Sequence, residues 1–260
     1  MLANQEHQRR YLKWYASRSN SSLRNILIGE DVDYLDDYNY IKRIYWDLAF
    51  PHMVVVGNSG SGKTTALLSI LVQLSRTPEL QAELYIIDYK GLDYAFLEDN
   101  GCERYYQFER CKEGLETIYE RFMKRRKGED KSTNLILVVL DEWSSFLNSV
   151  TDKKELESIK QKTSQILAMS RAFHMSCIFC VQRADAELFF KNRDNLSAAL
   201  AMGNISKESQ AMLFDDCKDK MNPIDEIGVG YFRQGSQLNK VYITKYPDEV
   251  VEESIMDMMI

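Results

Sequence analysis

Five short apolar runs divide the chain beyond residue 50, and stretches with a different periodicity separate them. His52–Gly57, Leu84–Tyr89, Leu135–Leu140, Ser176–Gln182 and Ala198–Gly203 are nearly continuous apolar blocks rather than alternating ones. Short continuous blocks are the pattern of strands buried on both faces, as in a parallel sheet. Between them, Thr64–Ser75, Cys111–Lys127 and Glu155–Phe173 carry apolar residues at helical spacing. Such alternation predicts crossover helices flanking a mainly parallel sheet. Near the end, Gly230–Arg233 and Leu238–Lys245 flank Gln234-Gly235-Ser236-Gln237 and predict an antiparallel hairpin. Residues 30–40 are acidic and rich in tyrosine. Residues 1–24 are polar and slightly basic, with Arg9, Arg10, Lys13, Arg18 and Arg24. The expected organisation is an amino-terminal arm or helix over 1–24 and one α/β domain over 25–260.

Length and charge narrow the picture without changing it. A chain of 260 residues suffices for one large α/β domain with its own core. The formal net charge of -6 argues against a small basic module that coats nucleic acid. It leaves room for basic loops that act locally. No apolar run approaches the ~18 residues needed to span a bilayer. The first residues, Met1 to His7, are too polar for a secretory signal. The five cysteines (Cys102, Cys111, Cys177, Cys180 and Cys217) have no framework spacing. Cys177 and Cys180 lie three apart on a strand, so they face opposite sides and read as core residues rather than a metal pair. The compartment expected is reducing cytoplasm.

Candidate chemistry begins with Gly57-Asn58-Ser59-Gly60-Ser61-Gly62-Lys63-Thr64, which fits G-x-x-x-x-G-K-[ST]. The strand residues Met53–Val56 enter it and a predicted helix leaves it, which is the context this phosphate loop requires. Its glycines let backbone N–H groups converge on phosphate oxygens, and the helix N-terminus adds positive potential. Lys63 is expected at the β- and γ-phosphates, Thr64 at Mg²⁺, and Thr65 beside them in the ATP-binding set.

The run Leu135–Leu140 ends in Asp141 and Glu142, 78 residues beyond Lys63. Two adjacent acids closing a buried strand call for a cation or reacting group nearby. Asp141 is the expected Mg²⁺ ligand and Glu142 the expected general base for water, which favours hydrolysis over transfer to a metabolite. The run Ser176–Val181 leads into Gln182-Arg183. If that strand lies between the other two, Gln182 points at the γ-phosphate. Alone, Gln182 is an ordinary strand-end polar residue and Arg171 an ordinary surface ion-pair partner.

A further set of stretches occurs in order. Ile28-Gly29-Glu30-Asp31-Val32 and Phe50-Pro51-His52-Met53 precede the phosphate loop. Ile86-Ile87-Asp88-Tyr89-Lys90, Tyr119–Arg126, Leu140-Asp141-Glu142-Trp143, Arg171-Ala172-Phe173-His174-Met175, Val181-Gln182-Arg183 and Gly228-Val229-Gly230-Tyr231 follow it. Together they resemble the motor domain of FtsK/SpoIIIE-type DNA translocases over roughly residues 26–255. Tyr89 and Ala184 stand where the family's pattern has proline, which leaves the loop shapes there open. Nothing corresponds to the membrane-spanning region or winged helix of the large translocases. The expectation is therefore a short motor like those of plasmids and conjugative elements.

The resemblance implies a RecA-like P-loop domain with a carboxy-terminal β-hairpin, assembled as a hexameric ring around DNA. ATP would then be bound between subunits, with Arg171 supplied from a neighbour. A relaxosome or replication protein is the expected further partner. Arg183, Lys191, Asn192 and Arg193 are the first candidates for DNA contact and Lys90 the second. The run Lys124-Arg125-Arg126-Lys127 reads as a solvated or subunit-facing helix end rather than a DNA contact. Two other classes compete: an assembly or secretion ATPase that moves protein, and a small-molecule kinase. Glu142 and the lack of a lid-type arginine cluster argue against the kinase.

Overall fold

Two strands that no long apolar block announces open the computed structural model, which describes residues 25–38, 40–190 and 192–259. They are β1 (Asn25–Asp31) and β2 (Arg43–Asp47), antiparallel and connected through helix α1 (Val32–Tyr38). Then follow β3 (His52–Val56), α2 (Lys63–Ser75), β4 (Glu83–Asp88), α3 (Ala95–Asp99), β5 (Tyr105–Gln107) and α4 (Cys111–Arg126). The second half runs β6 (Ile136–Asp141), α5 (Trp143–Ser149), α6 (Lys153–Met169), β7 (Met175–Val181) and β8 (Ala198–Met202). It closes with α7 (Lys207–Leu213), β9 (Val229–Gln234), β10 (Gln237–Tyr242) and α8 (Asp248–Met259).

All these strands join one sheet in the order β2-β1-β10-β9-β8-β3-β7-β6-β4-β5. The six from β8 to β5 are parallel, and the remaining four are antiparallel. This is the expected RecA-like P-loop architecture. Alternate residues of each strand enter separate cores. Val54 and Val56 pack on one face with Leu115 and Phe122 of α4, Trp143 of α5 and Ile166 of α6. Met53 and Val55 pack on the other with Ile70 of α2 and Ile255 of α8. Cys177 joins the first core and Cys180 the second, as their spacing on a strand requires.

The expected hairpin is part of the sheet: β9 pairs with β8 and β10 with β1, so it knits the parallel strands to the amino-terminal pair. Two expectations need adjustment, the end of β10 and the setting of Arg125. The hairpin's turn is two residues, Gly235-Ser236, with Gly235 at φ 56°, because a tight turn of that hand matches the strands' twist. β10 therefore ends at Tyr242 rather than Lys245. Within Lys124–Lys127, Arg125 is buried and not a solvated helix end. Its guanidinium donates to the carbonyls of Asn134, Phe173 and His174 and pairs with Asp130. Lys124, Arg126 and Lys127 are exposed as expected. Finally, the expected arm, residues 1–24, lies outside the described residues.

Candidate nucleotide site

β3 delivers the chain to the carboxyl edge of the sheet, and the loop that follows is built around two glycines. A Cβ on Gly57 would lie 2.4 Å from Ser61 Oγ and 2.6 Å from the Met202 carbonyl, so no larger residue fits there. The Gly57 N–H donates to the Val181 carbonyl at 3.3 Å, fixing the loop to β7. Gly62 has φ 95°, a conformation that favours glycine, and it caps α2 without any side-chain hydrogen bond. The first turn of α2 thus presents backbone N–H groups that its own helix cannot satisfy. Lys63 is nearly buried, with its ammonium on the Asn58 carbonyl at 3.0 Å.

Three neighbouring strands supply the other wall. The register that pairs Asp88 of β4 with Asp141 of β6 sets two carboxylates side by side at the strand ends. Burial pushes the Asp141 carboxyl up to about 6, and the adjacent Asp88 adds to the shift. Asp88 is also raised, chiefly by burial. It accepts the Lys90 N–H at 2.9 Å and the Tyr105 hydroxyl at 3.2 Å. Glu142 follows in a left-handed conformation at φ 50°, uncommon for a residue with a side chain. The Ser145 hydroxyl donates to its carboxylate at 3.2 Å, and the Gln182 amide lies 3.4 Å from both of its oxygens. Gln182 is there because β7 lies between β3 and β6, as the sequence argument required.

One cleft of about 270 Å³ is lined by Ser59, Gly60, Gly62, Lys63, Thr64, Thr65, Lys90, Asp93, Asp141, Glu142 and Gln182. The residues fit a magnesium–triphosphate group. The cradle is closed to side chains at Gly57, the Ser61 hydroxyl inside it is enclosed without a partner, and Thr64 and Asp141 offer two oxygen ligands. Among the described residues no three His, Cys, Asp or Glu cluster as a metal cage. Mg²⁺ needs none, since one or two protein oxygens plus phosphates and water suffice.

The remaining candidates lie elsewhere. Arg171 is exposed in the turn Ser170–Phe173, before β7, while Gln182 follows it. A seven-residue strand is about 23 Å long at ~3.3 Å per residue, so Arg171 is at the opposite edge of the sheet from its own phosphate loop. Arg183 and Arg193 are exposed and make loose surface pairs with Glu208 (3.7 Å) and Asp215 (3.8 Å). The Asn192 amide is engaged internally, donating to Ser164 Oγ and to the carbonyls of Phe189 and Phe190. Lys191 lies outside the described residues. Lys90, the second candidate for DNA contact, lines the nucleotide cleft and pairs with Asp93 at 2.9 Å. Asp88 and Asp93 were missed as site residues. A lone aspartate closing a strand gives no sign that the register will seat it beside Asp141.

Comparison with known proteins agrees with this fold. The FtsK/SpoIIIE family profile matches residues 15–100. The FtsK domain-containing protein YdcQ of Bacillus subtilis (strain 168) is 25% identical over 212 residues, covering 75% of this chain and 43% of that protein. These matches support an FtsK/SpoIIIE-type motor domain. It spans less than half the length of that Bacillus relative. The fold of this domain recurs in the pCW3 conjugation coupling protein TcpA, solved as a monomer with ATPγS, with a TM-score of 0.71, 20% identity, and 92% and 71% of the two chains covered. It recurs in EssC of Geobacillus thermodenitrificans (TM-score 0.67, 15% identity, 91% and 48% covered). The type VII secretion ATPase EccC of Thermomonospora curvata gives a TM-score of 0.62 at 17% identity, with 91% and 32% covered.

The domain's two departures from the family pattern have local explanations. The Ala184 N–H donates to Ser209 Oγ at 2.9 Å, a bond proline cannot make, and Ala184 is fully buried. Tyr89 packs its ring on Phe146 at 6.0 Å, tying the end of β4 to α5. Among the described residues, no helix of the domain is long and apolar enough to cross a membrane.

Proposed function

We propose that the chain is an ATP-hydrolysing DNA translocase motor of the conjugative-coupling or segregation type, working as a hexameric ring around DNA. Glu142 carries the hydrolytic part of this reading. It is a carboxylate beside the metal-ligand candidate Asp141, with the Gln182 amide 3.4 Å away, and it faces the loop that carries Lys63. Bound Mg²⁺ supplies neutralisation of phosphate charge, with Thr64 and Asp141 as its protein ligands. Lys63 binds the phosphates, Gln182 orients the attacking water, and Glu142 takes its proton. Arg171, too far from its own phosphate loop, serves the cleft of the next subunit. Arg183, Lys191 and Arg193 contact the DNA backbone.

The likeness to a conjugation coupling protein supports DNA as the track. The likeness to EssC and EccC supports the second reading, an assembly or secretion ATPase that moves protein. The hydrolytic site is tested by two variants. Lys63→Ala is expected to lose nucleotide affinity. Glu142→Gln is expected to bind ATP normally and to hydrolyse it more slowly by roughly 10²–10⁴-fold. Wild-type turnover in Glu142→Gln would remove Glu142 as the base.

A further inference from the structure

Five of the nine large apolar or aromatic side chains left exposed among the described residues fall within eight positions: Tyr34, Leu35, Tyr38, Tyr40 and Ile41. They belong to α1 and to the loop that leads into β2. A helix on a globular surface normally turns an apolar stripe inward. α1 buries only Val32, and its other six residues are exposed. The Tyr34 and Tyr38 rings, four residues apart, lean on each other outside the core with centroids 5.2 Å apart, and Tyr38 is 69% exposed. Single apolar residues on a surface need no explanation, whereas a contiguous set marks a place where something docks.

Charge narrows what fits there. Residues 30–41 hold Glu30, Asp31, Asp33, Asp36 and Asp37 and neither lysine nor arginine. Asp33, Asp36 and Asp37 are exposed and enter no ion pair among the described residues. The patch already seats one cation: Lys42 places its ammonium 4.2 Å from the centre of the Tyr34 ring and 2.9 Å from the Asp31 carboxylate. A ring face beside a carboxylate holds a lysine or arginine side chain well. The matching occupant is basic and carries apolar side chains of its own. Residues 1–24 have that make-up, with Arg9, Arg10, Lys13, Arg18 and Arg24 against Glu6 alone, and Tyr11, Leu12, Trp14 and Tyr15 set among them. They join β1 at Asn25, and β1, seven residues or about 23 Å long, leads straight into α1. A segment of that length spans up to ~80 Å when extended, more than enough to reach α1.

We propose that the acidic tyrosine patch on α1 is the docking surface for the chain's own amino-terminal segment, residues 1–24. The segment's aromatic side chains cover Tyr34, Tyr38 and Ile41, and its arginines pair with Asp33, Asp36 and Asp37.

Acrylamide quenching of tryptophan fluorescence in the full chain tests this, with no nucleotide present. Trp46 and Trp143 are fully buried, so Trp14 is the tryptophan open to the quencher, and Trp14→Phe supplies the background. Trp14 is expected to be shielded in the wild type at low salt. The shielding should fall in high salt, which screens exposed charge pairs. It should also be lost in Tyr34→Ser/Tyr38→Ser/Tyr40→Ser and in Asp33→Lys/Asp36→Lys/Asp37→Lys, whose exposed positions leave the core untouched. Arg9→Glu/Arg10→Glu/Lys13→Glu alters no residue of the patch and should expose Trp14 as well. Combined with the aspartate reversals, it should restore the shielding. Trp14 fully open to quencher in the wild type overturns the proposal, as does shielding that survives both the tyrosine and the aspartate variants. Shielding that disappears on dilution would put the segment on another copy of the chain and overturns it too.

Discussion

Replacing Arg125 by methionine removes a buried cation that fastens three segments at the amino edge of the sheet. Its side chain is 2% exposed and pairs with Asp130 at 3.0 Å. Nη1 donates to the carbonyls of Phe173 (2.8 Å), Asn134 (3.0 Å) and His174 (3.3 Å), and Nη2 to Asn134 Oδ1 (2.7 Å). Breaking a buried ion pair from one side costs about 3–5 kcal/mol when it strands the partner. Asp130 is not stranded, because Arg121 also holds it at 3.0 Å. His174 keeps the Ile136 N–H at 2.9 Å. The loss therefore falls on the Phe173 and Asn134 carbonyls, at ~1–3 kcal/mol for each unsatisfied buried group. A total near 3 kcal/mol follows for Arg125→Met. Urea unfolding of the wild type, Arg125→Met and the exposed neighbour Arg126→Met measures it. Arg126→Met should lie within about 0.5 kcal/mol of wild type. A cost for Arg125→Met under ~1 kcal/mol, or an equal cost for both variants, refutes the reasoning.

Two other outcomes follow from the same coordinates. His52 is fully buried, accepts the Cys177 N–H at 3.1 Å, and has its pKa lowered from 6.5 to about 4 by burial. The unfolded chain therefore gains a proton first on acidification, and this group removes up to ~3 kcal/mol of stability between pH 6.5 and 4. Asp141, raised to about 6, acts with the opposite sign over much of that window, so the comparison must be wild type against His52→Gln. The variant should lose less stability on acidification, and parallel pH profiles would exclude the effect. For Arg171, mixing inactive Arg171→Ala and Lys63→Ala subunits should restore part of the ATPase, with trans-acting arginines worth ~10³–10⁵ in turnover. No recovery at any ratio, or full activity of Arg171→Ala alone, rejects the role.

Five of the six parallel strands were legible because they are buried on both faces and so read as unbroken apolar blocks; the three-residue edge strand β5 was too short to show. The hairpin was legible from its turn, but the amino-terminal pair β1 and β2 was not. Arg43–Asp47 has only Ile44 and Trp46 inward, a pattern too short to stand out beside the acidic stretch before it. The phosphate loop and Glu142 were legible because their chemistry is written in adjacent residues. Gln182 needed the topology as well, and the strand order supplied it. Arg125 was misjudged as part of a solvated or subunit-facing helix end because charge in a sequence does not show that neighbouring segments will enclose one residue of a basic run.

The claim that DNA is the track is tested most directly by the ATPase rate measured with and without DNA, in the wild type and in Arg183→Ala/Lys191→Ala/Arg193→Ala. The account predicts that DNA accelerates hydrolysis by the wild type. It predicts that the triple variant keeps its basal rate, loses the acceleration, and shows a flatter dependence of DNA affinity on salt because fewer counterions are released. A wild-type rate that DNA leaves unchanged, while a polypeptide substrate raises it, would contradict the account and favour a motor that moves protein.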